Sequence, residues 1–330
     1  MARTKRLIRS FCRLFLPVIV LTVFTVLFAS IWLVHTSSEP PKAVYLVTPE
    51  KYGQLSTRGA KVTDETWTNR DGSQARGWLL RGAPNAPAVI LLHRYGADRS
   101  HVLNLGVKLN EATDFTILMP DLRGHGESPL VRETTFGGSE TEDVMAALDF
   151  LRSLKTEDKQ TLVGPEIGIY GVELGAMVGL KTAFKDSAVK VLVLDSVPLE
   201  SDEVLSAAIE KRFPFASRYT SKIAALGTYP YFFNQNYSRD SLCESAKSVA
   251  EKKILLLAGV DAPRLQDSTQ KLANCLNNPS GIQAFTGLAP SGYNLTNASL
   301  EQADAYDQRV IDFFKRSLTN ENVKIETAKK

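Results

Sequence analysis

Histidine is scarce in this chain of 330 residues: His35, His93, His101 and His125 are all there are. Everything after residue 125 therefore lacks an imidazole, and no general acid or base of that kind can come from it. Internal repeats and low-complexity tracts are absent, which excludes a solenoid and a disordered array. A basic surface is absent too. The net charge of +3 rests on Arg3, Lys5, Arg6, Arg9 and Arg13, with no acid among them, and removing these five leaves about −2. That balance gives no electrostatic case for nucleic acid. Cysteine is limited to Cys12, Cys243 and Cys275. The last two can be free buried thiols or a disulfide, and composition does not choose between them.

Charge is also missing from Leu14–Val34, 21 residues reading LFLPVIVLTVFTVLFASIWLV. As a helix this run spans roughly 30 Å, the thickness of a bilayer core. Trp32 falls at its outer end, where indole favours the interface, and the five preceding cations predict a cytoplasmic N-terminus. The run is too long for a signal-peptide core, and Ala29-Ser30-Ile31 is a poor cleavage site, so an uncleaved anchor is expected. Pro17 would lie in the first turn, where it costs least. The segments then read as a basic N-terminus (1–13), a membrane anchor (14–34), a polar tether (35–58) with Pro40-Pro41, a main domain (59–318) and a charged tail (319–330).

The main domain opens with two strand-like runs around Asn69-Arg70-Asp71-Gly72, a hairpin signal. Ala88–Leu92 is a short continuous apolar run, as a strand buried on both faces should be, and Phe115–Pro120, Val189–Leu194 and Lys253–Leu257 read as further strands. Helical periodicity lies between them, at His101–Glu111 and Glu140–Leu154, and Leu300–Leu318 closes the domain after a last candidate strand at Gly281–Phe285. This alternation predicts an α/β fold with a doubly wound, mostly parallel sheet of about eight strands.

Ile167–Leu180, IGIYGVELGAMVGL, is the stretch around which the rest is arranged. An apolar run ends in Gly171-Val172-Glu173-Leu174-Gly175 and a helix of small residues follows. That is the shape of a nucleophile elbow, G-x-S-x-G, with Glu173 where the serine should stand. With LLHRYGADRS (Leu91–Ser100), PDLRGHGES (Pro120–Ser128), FGGSETEDV (Phe136–Val144) and LDS (Leu194–Ser196), the chain resembles the α/β-hydrolase fold family. It is most similar to the serine-hydrolase and aminopeptidase-like branch with membrane-tethered members, and the resemblance runs from about Gly59 to Leu318.

The resemblance implies a Ser…Asp…His triad and an oxyanion loop after the third strand. Carried over by position, the nucleophile falls on Glu173, the acid on Asp261 and the histidine on Tyr293. The oxyanion loop falls on His93, Arg94 and Tyr95, with Arg94 in place of a glycine. No shift of register supplies a histidine after the elbow. His93, Asp121, Arg123, His125 and Asp195 read as architecture. The resemblance also implies a small helical cap at about 197–252, rich in Phe213, Phe215, Tyr219, Tyr229, Tyr231, Phe232, Phe233 and Tyr237. These aromatics either roof a site for a small apolar ligand or bury one another.

The functional expectation is a membrane-anchored pseudohydrolase, a binding or scaffolding domain. The alternative is an active hydrolase of esters, amides or epoxides using Glu173 as a carboxylate nucleophile. No cofactor, metal or nucleic acid is expected, the lipid bilayer is expected as a partner through Leu14–Val34, and no protein partner is indicated. Glu173 and Arg94 are expected to form a buried ion pair across the former catalytic centre, with the Tyr293 hydroxyl as a third member.

Overall fold

The computed structural model describes residues 2–42, 45–53, 59–126, 129–214, 217–233, 237–244, 251–276 and 281–319. Phe215, Glu127, Ser128 and the charged tail beyond 319 lie outside the described residues. The strands are β1 (Val62–Thr68), β2 (Gln74–Leu80), β3 (Ala86–Leu92), β4 (Thr116–Pro120), β5 (Val163–Val172), β6 (Val189–Asp195), β7 (Lys253–Gly259) and β8 (Ile282–Leu288). The helices are α1 (Ala2–Ser38), α2 (Pro49–Gly53), α3 (Leu103–Thr113), α4 (Ser139–Ser153), α5 (Leu174–Lys185), α6 (Ser201–Arg212), α7 (Ser217–Tyr231), α8 (Pro263–Cys275) and α9 (Leu300–Leu318). The chain divides into two compact units, one of residues 39–204 with 236–330, the other of residues 1–38 with 205–235.

The larger unit is built on one eight-stranded sheet in the order β1-β2-β4-β3-β5-β6-β7-β8. β2 pairs antiparallel with β1 and β4, and all other pairings are parallel. The central strands are these runs, buried but for Lys190 near the start of β6 because helices cover both faces of a parallel sheet. Val89, Leu91, Ile117, Tyr170 and Val193 of the sheet share one core with Leu103, Leu105 and Leu109 of α3 and Val310, Phe313 and Phe314 of α9. The helical period at 101–111 resolves into a 3₁₀ turn, Arg99–Val102, capped by Asp98, and then α3.

The stretch expected as a tether carries more structure than its polar composition suggests. Tyr45 sits edge-on to Trp78 at 5.1 Å, and its hydroxyl accepts from Arg99 at 3.0 Å. Leu46 N–H donates to Ser100 Oγ at 2.9 Å. Further along the unit, Cys243 and Cys275 form a disulfide, which decides the alternative left open by composition.

In the smaller unit α1 runs for 37 residues, so Pro17 lies inside the helix and not in its first turn. A proline there removes one backbone hydrogen bond of the ladder. The helix extends to Ser38, past the expected end of the span, because its last turns are packed against α7. Gly227 lies so close to Ser30 that a Cβ on it would meet the Ser30 carbonyl carbon at 2.4 Å. Tyr231 hydroxyl bonds Ser38 Oγ at 3.0 Å and His35 Nδ1 at 3.0 Å, and Arg212 donates to the Thr36 carbonyl at 2.7 Å.

Candidate functional site

The site is made where β5 turns into α5. Glu173 has φ 49° and ψ −109°, a conformation that non-glycine residues avoid and that a nucleophile elbow imposes. The flanking glycines are obligatory: a Cβ on Gly171 would stand 2.4 Å from the Gly175 carbonyl carbon, and one on Gly175 would stand 2.5 Å from the Leu92 carbonyl oxygen. The elbow geometry is thus complete, and it presents a glutamate that is 2% exposed.

The loop after β3 faces it. Tyr95 N–H donates to Glu173 Oε2 at 2.8 Å, a bond buried at both ends. In the resemblance this loop supplies the N–H that stabilises an oxyanion. Here the elbow's own carboxylate takes that N–H. The Tyr95 ring is held in place by Phe136, stacked at 5.9 Å, and by His125, edge-on at 5.5 Å.

The expected ion pair is not formed. Among the described residues no salt bridge joins Arg94 to Glu173. Arg94 instead donates to the Tyr95 carbonyl at 3.2 Å and lies over the Tyr293 ring, 5.2 Å from its centroid. The physical reason is competition. A fixed backbone N–H loses no rotamer freedom in binding the carboxylate, whereas the long cation gains a ring face without being desolvated in a pair. Tyr293 therefore enters through its ring and not as a hydroxyl partner. Burial first, then the Glu173 charge, push its phenol up to about 12, so it is no base near neutral pH.

The acid position is detached from both. Asp261 accepts from Asn294 Nδ2 at 2.7 Å and from Ser291 Oγ at 2.9 Å and N–H at 3.1 Å, with no bond to Tyr293. Its partial burial works to raise the carboxyl, but the bonds from Asn294 and Ser291 outweigh it and hold it below its ordinary value. Of the three triad positions, the fold brings Glu173 and Tyr293 together and ties Asp261 into its own loop. Nothing in the sequence singled out Asn294 and Ser291 as its partners, beyond their place beside Tyr293 in Ser-Gly-Tyr-Asn.

His93 is structural. Leu122 N–H donates to His93 Nε2 at 3.0 Å while His93 Nδ1 faces the Arg94 carbonyl at 2.8 Å, so the ring is neutral with both nitrogens engaged. Burial, then neighbouring His125, hold its pKa well below the usual range. Behind the site, fully buried Asp195 accepts from Tyr306 hydroxyl at 2.8 Å, Gly292 N–H at 2.9 Å and Ser196 hydroxyl at 2.6 Å. Burial pushes its carboxyl up against these bonds. This network ties the end of β6 to α9 and the Tyr293 loop, an architectural role. It spans 111 positions between Asp195 and Tyr306, so no local pattern announces it.

A cavity of about 220 Å³ opens beside Arg94 and Tyr293, with Val47, Val102, Val172 and Leu295 in its wall. Among the described residues, none from 197–252 lines it.

The sheet order, the elbow and the facing oxyanion loop together decide the family of folds. This is the α/β-hydrolase fold. Among solved structures the chain is similar to the Pyrococcus furiosus esterase Pf2001, with TM-score 0.62, 21% identity, and coverage of 85% of this chain and 98% of that one. It is also similar to the dienelactone hydrolase of Anabaena variabilis, with TM-score 0.53, 14% identity, and coverage of 78% and 99%. In sequence it matches the thiohydrolase aneE of Aspergillus aculeatus at 28% identity over 125 residues, and the match spans 37% of each chain. No family model matches. α/β-hydrolase-fold proteins with hydrolytic names thus surround a chain whose elbow carries a carboxylate.

Proposed function

We propose that this protein is a pseudohydrolase held in a membrane by its N-terminal helix, an α/β-hydrolase fold kept as a binding or scaffolding domain. The observation that carries this reading is the 2.8 Å bond from Tyr95 N–H to Glu173 Oε2. A hydrolase of this fold needs a nucleophile aimed outward and an N–H left for the developing oxyanion. In this chain one group stands at the nucleophile position and occupies that N–H. The lack of any histidine after residue 125 removes the usual base and acid.

The second reading is a carboxylate-nucleophile hydrolase, favoured by the strained elbow placing a carboxylate where other members place their nucleophile. It requires a base to activate water on the resulting ester, and Tyr293, pushed up to about 12, does not supply one. A panel of p-nitrophenyl esters, thioesters and epoxides, with a fluorophosphonate probe, separates the two. No turnover and no labelling are expected. Turnover lost in Glu173→Gln would overturn the pseudohydrolase.

The anchoring part of the proposal is supported by the exposure of Leu21, Phe24 and Phe28 on α1 and by the five cations before it. The Cys243–Cys275 disulfide suits a domain on the oxidising side. Orientation is tested by thiol labelling of intact cells, where an impermeant reagent should leave Cys12 unmodified. Labelling of Cys12 from outside would reverse it.

A further inference from the structure

α7 carries a stripe that its own unit does not cover. Tyr219 is 77% exposed, Leu226 63%, Tyr229 73% and Phe233 68%. With exposed Lys222 these positions recur at intervals of three and four along α7 and just past its end, which places them on one face of the helix. The opposite face is spent on α1: Ala224, Gly227 and Thr228 are buried, and Gly227 touches the backbone of Ser30. Residues 217–233 hold no acid. Scattered single apolar residues on a surface mean little, but four large ones in register on one helix mark a contact surface.

The helix it packs on says what that surface meets. Ser30 is four residues inside the uncharged run that ends at Val34, which at about 1.5 Å per residue puts Gly227 roughly 6 Å below the outer limit of the span. The contacts advance in the same sense on both helices, Gly227 at Ser30 and Tyr231 at His35 and Ser38. α7 thus runs alongside α1, and by the same rise Leu226 lies roughly 8 Å and Tyr229 roughly 3 Å below that limit, at the boundary between headgroups and acyl chains. Tyrosine is enriched at that depth.

We propose that α7 is a second membrane contact, with Leu226, Tyr229 and Phe233 in the outer interface of the bilayer and Tyr219 against lipid below them. The inference rests on the reading of α1 as a membrane span. It makes α7 a lipid-facing element.

The test uses the full chain in phosphatidylcholine nanodiscs, in a Cys12→Ser background. An environment-sensitive fluorophore is attached at Leu226→Cys, at Phe24→Cys on α1, and at Arg152→Cys on the sheet unit. Blue-shifted emission and at least twofold quenching by lipids spin-labelled near the headgroup are expected at 226. At 24, quenching by lipids labelled deep in the chain is expected, and at 152 none. Quenching at 24 with water-like, unquenched emission at 226 would overturn this inference and leave the anchor standing. Blue-shifted but unquenched emission at 226 would mean that a second copy or another protein covers the stripe, and would also overturn it. Unquenched emission at both 24 and 226 would overturn the anchor and this inference with it.

Discussion

Replacing Glu173 in two ways isolates the bond on which the functional reading depends. Glu173→Gln and Glu173→Ala both remove the charge, and both keep a Cβ at φ 49°, so charge burial and backbone strain cancel between them. Glutamine keeps an oxygen for Tyr95 N–H to donate to. Alanine leaves that N–H buried without an acceptor, which costs about 1–3 kcal/mol. It also removes a methylene and an amide from a site where Glu173 is 2% exposed, adding about 1 kcal/mol of lost packing. Alanine should therefore be less stable than glutamine by about 3 kcal/mol. For a domain of this size each kcal/mol moves Tm by roughly 2–4 °C, so the gap should be about 6–12 °C. Thermal melts of the full chain in detergent, followed by near-ultraviolet dichroism, measure it. If the two variants melt together, or alanine melts higher, the carboxylate does not hold the Tyr95 N–H.

Three further outcomes follow from the structure. Gly175→Ala should cost upwards of about 3 kcal/mol and lower the yield of folded protein, because its Cβ would meet the Leu92 and His93 carbonyl oxygens at 2.5 and 2.7 Å; a melt within about 2 °C of the parent would contradict the tight elbow. Cys275→Ala should lose about 3–4 kcal/mol, the closure entropy of a loop with sequence separation 32, and reductant should lower the Tm of the parent by a like amount and leave the variant unmoved. Asp71 is held down to about 2: its burial acts to raise it, but bonds from Ser73 and Arg123 outweigh that. Its folded pKa lies below the unfolded one, so its contribution is present above about pH 4 and fades as pH falls toward 2. Because its side chain is 49% exposed the effect should stay under about 1 kcal/mol, and Asp71→Asn should flatten the acid limb of the stability curve by that much.

Much of the sheet was legible because a parallel strand buried on both faces must be a short apolar run, as in Ala88–Leu92 and Val191–Leu194. The elbow was legible because only glycine fits at 171 and 175. The partners within the site were not. Sequence shows that Arg94 and Glu173 are opposite in charge, but not that a backbone N–H reaches the carboxylate first while a ring face holds the cation. Nor does it show where α1 ends, since Ser30–Ser38 is set by the packing of α7, and the close approach depends on a single glycine in a distant segment. Nor does it show that Asp261 takes its bonds from Asn294 and Ser291.

The pseudohydrolase reading is tested most directly by oxygen exchange at Glu173. A carboxylate nucleophile opens an epoxide to an ester of Glu173, and water that then attacks the Glu173 carbonyl releases the diol and leaves its own oxygen in the carboxylate. The full chain would be incubated with the epoxides of the panel in H₂¹⁸O, quenched, digested in ordinary water, and the peptide containing Glu173 weighed. The reading predicts no mass gain with any substrate. A substrate-dependent gain of about 2 Da on that peptide, absent from Glu173→Gln, would show that the elbow carboxylate turns over and would contradict it.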